Sequence, residues 1–183
     1  MSQNRDIQEA QAGTTGSVSI RRFMTGDPIS DITALLHRAY ARQREAGLDP
    51  LAGRQDDAVT LDRILNSESY VAFTDESESQ IAGVILFNEH EQVTFPEYFL
   101  KDRVSHFAMF GVDPAIQAAG IGGLLLDVCE ARAGEIGSTE IALSMAEPDR
   151  VLYRYYKRRG YAHVQDWQWP YTNYKSIILA KQL

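Results

Sequence analysis

The sequence predicts a mixed α/β (α+β) domain, a sheet with helices packed against its faces. Three observations carry this. Seven short apolar runs bounded by polar or turn-forming residues recur along the 183 residues. Four stretches between them show helical rather than alternating apolar spacing. Hairpin turns and long crossover segments both occur, which calls for antiparallel and parallel neighbours in one sheet.

The elements follow in order. Residues Met1 to Ser17 are polar, without a convincing apolar period, and read as a flexible tail, leaving 18–183 as a single domain. VSIRRF, from Val18, alternates as a short strand. DPISDITALLHRAYARQREAG spaces Ile32, Leu35, Leu36, Ala39 and Tyr40 along one helical stripe; Pro28 suits its first turn and Gly47 its end. AVTLDRILNS, residues 58–67, reads as a second, short helix. Tyr70–Thr74 and Ile81–Phe87 flank an acidic, serine-rich turn and form a hairpin. A looser segment with Phe95, Pro96, Tyr98 and Phe99 leads to VSHFAMFGV, a buried strand ending at Val112. The helix that follows runs from about Gly120 to Ile136, on a stripe of Ile121, Leu124, Leu125, Val128 and Arg132. TEIALSM is a strand, PDRVLYRYYKRRG a helix between Pro148 and Gly160, and YAHVQDWQW and YKSIILAKQL are two strands around a PYTN turn.

Composition narrows the function. A formal net charge of −7 and a pI of about 5.1 argue against nucleic acid, whose binders carry a basic patch. The longest apolar runs fall well short of the ~20 residues of a membrane-spanning helix, so no membrane partner is expected. No basic-then-apolar leader opens the chain, and Cys129 is its single cysteine, which makes an internal disulfide impossible and favours a cytoplasmic protein. His37 and His163 are not spaced with other ligands, and no metal is expected. Cys129 sits on the apolar stripe of its helix, where packing explains it better than covalent catalysis.

The stretch VDPAIQAAGIGG, Val112 to Gly123, puts glycines between a strand and a helix start. The first N–H groups of a helix lack internal partners and its dipole favours negative charge, so such a loop is a ready phosphate site. A Walker A loop needs Lys-Ser/Thr after its last glycine, and here Leu124-Leu125 follows. A dinucleotide fingerprint needs a third glycine where Leu125 stands, and sits closer to its strand.

The pattern of Val112, Pro114, Gln117, Gly120 and Gly122 opening a helix resembles the acetyl-CoA signature of the GNAT superfamily of N-acyltransferases. YYKRRGY, Tyr155 to Tyr161, resembles that family's later motif one strand and one helix further on, with Tyr156 on the motif tyrosine, Gly160 on the glycine and Arg158 as its basic residue. Where the family often has Asn, seven residues before the tyrosine, this chain has Asp149. The resemblance implies a mostly antiparallel seven-stranded sheet flanked by about four helices. It implies acetyl-CoA as cosubstrate, its pyrophosphate held by the amides of Gln117, Ala118, Ala119, Gly120, Ile121, Gly122 and Gly123, and its pantetheine arm along Phe110, Gly111 and Val112. A primary amine of a small molecule or peptide would attack the thioester directly; a non-catalytic coenzyme A sensor on the same fold is the alternative. By analogy with relatives, a homodimer is one possible assembly.

Only roughly one lysine-like amine in two thousand is neutral at pH 7, so a proton acceptor is needed. His106 stands eleven residues before Gln117, where the histone-acetylating branch has a glutamate; histidine suits base work, and a water chain is the other option. Strand alternation puts His106 on one face with Ala108, Phe110 and Val112. Tyr156 is the expected acid toward the leaving thiolate. Acceptor contacts are expected from Tyr40, Glu97 and Trp167, with Asp56, Asp57, Trp169 and Tyr171 as further candidates.

Overall fold

The computed structural model describes residues 18–75, 77, 78, 80–90, 95–116 and 120–183, together with the main chain of 8–10. Among these residues the chain forms one sheet. Its strands are β1 (Gln8–Ala10), β2 (Val18–Arg22), β3 (Glu68–Phe73), β4 (Ile81–Phe87), β5 (Val104–Val112), β6 (Glu140–Ala146), β7 (Ala162–Trp167) and β8 (Ser176–Gln182). The spatial order is β1-β2-β3-β4-β5-β6-β8-β7. Every neighbouring pair is antiparallel except β5 and β6. The seven expected strands are present, and three residues of the segment read as a tail add β1 at the edge, on β2.

The helices are α1 (Ile29–Ala39), α2 (Ala41–Glu45), α3 (Asp57–Leu65), α4 (Ile121–Glu135) and α5 (Arg150–Arg158). The first expected helix is divided at Tyr40, whose ψ of 2° turns the chain so that α2 leaves the axis of α1. The break frees the Tyr40 hydroxyl to donate to the main-chain oxygen of Phe110 at 3.1 Å.

Alternation along the strands feeds both faces. Tyr70 and Ala72 of β3 join Ile121, Leu125, Leu126 and Cys129 of α4 and Tyr156 of α5 in one core. Val71 and Phe73 join Ile32, Leu35 and Leu36 of α1 and Ile64 of α3 in the other. A smaller third cluster, Phe99, Ala142, Trp169, Ile178 and Ala180, extends the α1 side under β6 and β8.

Two irregularities make the site. β5 pairs with β6 only over Val104–Phe107 against Glu140–Leu143; beyond that, β5 keeps β4 and β6 keeps β8, and the two strands part. β5 also carries a bulge: its register against β4 shifts between Val84 and Leu86, and Met109 has φ 45°. A bulge reverses the alternation beyond it. Phe107 therefore lies in the α4 core and Met109 in the α1 core, while Phe110 and Val112 return to the α4 side. This corrects the expected common face. His106 lies on the α1 side, packed on Phe95 and Phe99, not with Phe110 and Val112.

Candidate active site

Where β5 and β6 part, a cavity of about 1010 Å³ opens, lined by Phe107–Val112 on one flank and Leu143–Ala146 on the other. It reaches Gly120, Gly122, Gly123, Arg158 and Arg159 on the α4 side, and His106, Phe99, Trp169 and Tyr171 on the α1 side.

The α4 end is built from main chain. Gly120 caps α4 with φ +82°, a conformation a side chain would strain, and no side chain caps the helix. The first intrahelical bond there runs from Leu124 N–H to the Gly120 oxygen at 3.2 Å, so the N–H groups of Ile121, Gly122 and Gly123 precede the ladder. A Cβ at Gly122 would come 3.3 Å from Phe110 Cζ, so glycine keeps the loop close to β5. Arg158 is exposed at this end; Arg159 is held by Asp127 at 2.6 Å and Glu130 at 3.4 Å, and its Nε is buried without a hydrogen-bond partner. Uncapped amides, a helix N-terminus and the exposed Arg158 fit a pyrophosphate. Gln117, Ala118 and Ala119, expected in the same loop, lie outside the described residues.

At the middle stands Tyr156. It is 3% exposed, packed among Phe107, Tyr155 and Tyr161 at ring distances of 6.1, 5.4 and 5.6 Å. Burial, with Tyr40, Tyr155 and Asp149 nearby, raises its pKa well above the ordinary phenol value, so the phenol keeps its proton. Tyr40 is likewise pushed up to about 12, chiefly by burial. Asp149 caps α5 by accepting from Leu152 N–H at 3.0 Å and accepts from Arg42 and Gln43 of α2. It ties the two helices that flank the gap.

The α1 end is built from side chains. Arg63 of α3 forms a two-pronged pair with buried Glu89, at 2.5 and 2.8 Å, and donates to Gln55 at 2.9 Å. Gln55 in turn donates to Thr60. The ring nitrogen Nε2 of His106 lies 3.1 Å from the main-chain oxygen of Glu89. A carbonyl only accepts, so Nε2 carries the proton and Nδ1 the lone pair. Burial lowers the His106 pKa, against a smaller opposing pull from Glu89, and favours the neutral ring. Phe99 stacks on the imidazole at 4.6 Å and 6°.

The remaining sequence candidates divide. Tyr40, Trp169 and Tyr171 line the cavity. Glu97 is exposed and Trp167 half-buried, and neither is among the lining residues. Asp56 caps α3 through Val59 N–H, and Asp57 accepts from Ser30 at 2.6 Å. His37 bonds the Gln55 main-chain oxygen and His163 pairs with Asp166. Cys129 is fully buried, and burial raises its pKa. Arg63, Glu89 and Gln55 were not anticipated; an acidic residue two positions after the apolar run of β4 was the only signal of them. Among the described residues, no group of three or more His, Cys, Asp or Glu is placed to hold a metal, and no helix is long and apolar enough to cross a membrane.

Comparisons with known proteins identify the family and the fold. The sequence model of the acetyltransferase (GNAT) family matches residues 31–161. Solved structures share the fold. PaiA N-acetyltransferase from Thermoplasma acidophilum, in complex with coenzyme A, superposes with a TM-score of 0.68 at 15% identity, covering 91% of this chain and 99% of that one. A GNAT acetyltransferase from Elizabethkingia anophelis with acetyl-CoA bound gives 0.63 at 16%, covering 91% and 98%. The ribosomal-protein-S18-alanine N-acetyltransferase from Escherichia coli gives 0.64 at 14%, covering 90% and 93%. A search of curated proteins finds no match. The chain belongs to the acetyltransferase (GNAT) family, and acetyl transfer is the general activity of that family.

Proposed function

We propose that this protein is an N-acetyltransferase that moves an acetyl group from acetyl-CoA to a primary amine of a small molecule or peptide, by direct attack while both substrates are bound. One observation carries the proposal: a single cavity joins the uncapped start of α4 to the aromatic chamber on the other side of the sheet, with Tyr156 at the join. Two substrates entering from opposite ends would meet in the gap between β5 and β6.

The amides of Ile121, Gly122 and Gly123 would hold the pyrophosphate, with Gly120 setting their direction and Arg158 adding charge. Gln117, Ala118 and Ala119 are proposed for the same cradle. The pantetheine arm would run along the parted stretch of β5, Phe110 to Val112, and a main-chain N–H there would receive the developing negative charge on the acetyl oxygen. Tyr156 would donate a hydrogen bond to the sulfur as the C–S bond breaks. A full stepwise proton transfer from a phenol to a thiolate of pKa ~8.5 is uphill by at least ~2 kcal/mol, so the tyrosine acts mainly as a donor that strengthens along the reaction. His106 would take the amine proton at Nδ1, directly or through water. Its Nε2–H bond to Glu89 would strengthen as the ring gains charge.

The test is an amine and peptide panel with acetyl-CoA, read by thiol release and by mass spectrometry of the products. The expected result is N-acetylated product in step with free thiol. Coenzyme A binding with no product from any amine would instead favour a sensor.

A further inference from the structure

We infer that the acceptor is a monoamine with a flat, apolar body, an arylalkylamine in chemical class, and not a polyamine; this rests on the acetyl-transfer reading of the site. The chamber on the α1 side is walled by two ring stacks. Phe99 lies on His106 at 4.6 Å, and Tyr171 lies on Trp169 at 5.4 Å and 20°. Phe95 meets the imidazole edge-on at 5.4 Å. Each stack takes one face of its rings. A ring edge carries positive potential and receives another aromatic body better than it receives a cation.

The charges point the same way. A polyamine brings at least one ammonium besides the reacting nitrogen, and a site for it needs a carboxylate that is not already neutralised. Among the described residues, two lining carboxylates are buried, and both are taken. Glu89 is held by Arg63 through both oxygens, and Asp149 by Arg42 while it caps α5. The arginines that neutralise them line the cavity as well, so neither pair leaves a net negative charge for a second ammonium. Glu45 also lines the cavity but is exposed, where water and salt screen it. Rings supply the body's contact area, and His106, held within one of the stacks, is the imidazole offered to the reacting nitrogen.

The decisive experiment measures binding and turnover separately. Phenethylamine, tryptamine, hexylamine, putrescine and spermidine are titrated against the intact protein by isothermal titration calorimetry, and then assayed with acetyl-CoA for thiol release. The arylalkylamines should show kcat/KM about tenfold or more above the polyamines. Tyr171→Ala, and Trp169→Phe as the variant that keeps the core filled, should each raise the arylalkylamine KM about fivefold or more while leaving the acetyl-CoA KM within about twofold. Polyamines turning over faster, or variants that weaken both substrates equally, would overturn the inference and leave the acetyl-transfer reading standing. Arylalkylamines that bind without releasing thiol would sink the transfer reading and keep the ligand class. Failure of every amine to bind would end both.

Discussion

The two ends of the cavity are made differently. The α4 end is assembled from one contiguous stretch, β5 through the first turn of α4, and what it presents to the cavity is main chain shaped by Gly120 and Gly122. The α1 end is assembled from side chains of α3, β5 and the segments before β5 and β8: Arg63, His106, Glu89, Phe99, Trp169 and Tyr171. A main-chain site tolerates little change in the residues that shape it, because the backbone must turn and approach the ligand closely. A side-chain site can be rebuilt residue by residue on the same scaffold. On the reading proposed above, the main-chain end would take the donor and the side-chain end the acceptor.

The sharpest test of this division lies at the join. Tyr156→Phe removes one hydroxyl and leaves the ring packing of a buried side chain. If the phenol serves the leaving sulfur, kcat should fall by ~10²-fold or more with both KM values little changed. An unchanged kcat in a thiol-release assay would remove Tyr156 from the chemistry.

At the acceptor end, His106→Gln should lower kcat/KM by about tenfold or more and remove the acid limb of its pH profile. In the native protein that limb should lie below the ordinary histidine value of 6.5, because burial lowers the pKa and keeps the ring neutral to lower pH. The stability term has the same sign. The unfolded chain binds the proton more readily, so the contribution is full above the unfolded pKa and is lost as pH falls toward the folded one. A profile identical in both proteins would mean that water alone accepts the proton.

At the donor end, Gly120→Ala meets no atom within 4 Å, so its cost is the left-handed backbone alone. It should lower stability by ~1–2 kcal/mol. It should also raise the acetyl-CoA KM several-fold while leaving amine discrimination intact. Thermal unfolding and a KM for each substrate separate these effects. The smallest effect belongs to the strut between the ends. Asp149→Ala loses an N-cap worth ~1 kcal/mol and leaves Arg42 without its partner. Asp149→Asn, which keeps an acceptor for Leu152 N–H, should lose less in the same melt.

The same division decides what could be read from the sequence. The order of strands and helices followed from apolar period and turn residues, and the glycine-opened start of α4 after β5 from Gly120 and Gly122, because these are local signals. His106 was found by its spacing, but its face was misread: strand alternation assumes a regular ladder, and the bulge at Met109 breaks it. Nothing in HFAMFG marks a bulge. Arg63 and Glu89 lie 26 residues apart and become a pair only when α3 packs beside the end of β4. Glu97 was expected among the acceptor contacts, yet the 3-10 turn at Glu97–Leu100 buries Phe99 and leaves Glu97 exposed. Aromatic residues before β8 were expected to wall the acceptor; Trp169 and Tyr171 do line the cavity, while Trp167, two residues earlier, packs beside them.

The central claim is that both substrates occupy one cavity at once and that no acetyl group passes through the protein. Initial velocities measured against acetyl-CoA at several fixed amine concentrations, with intact-protein mass spectrometry after mixing with acetyl-CoA alone, test it most directly. The expected result is a family of intersecting reciprocal plots and an unchanged protein mass. Parallel plots with an acetylated protein would contradict the account.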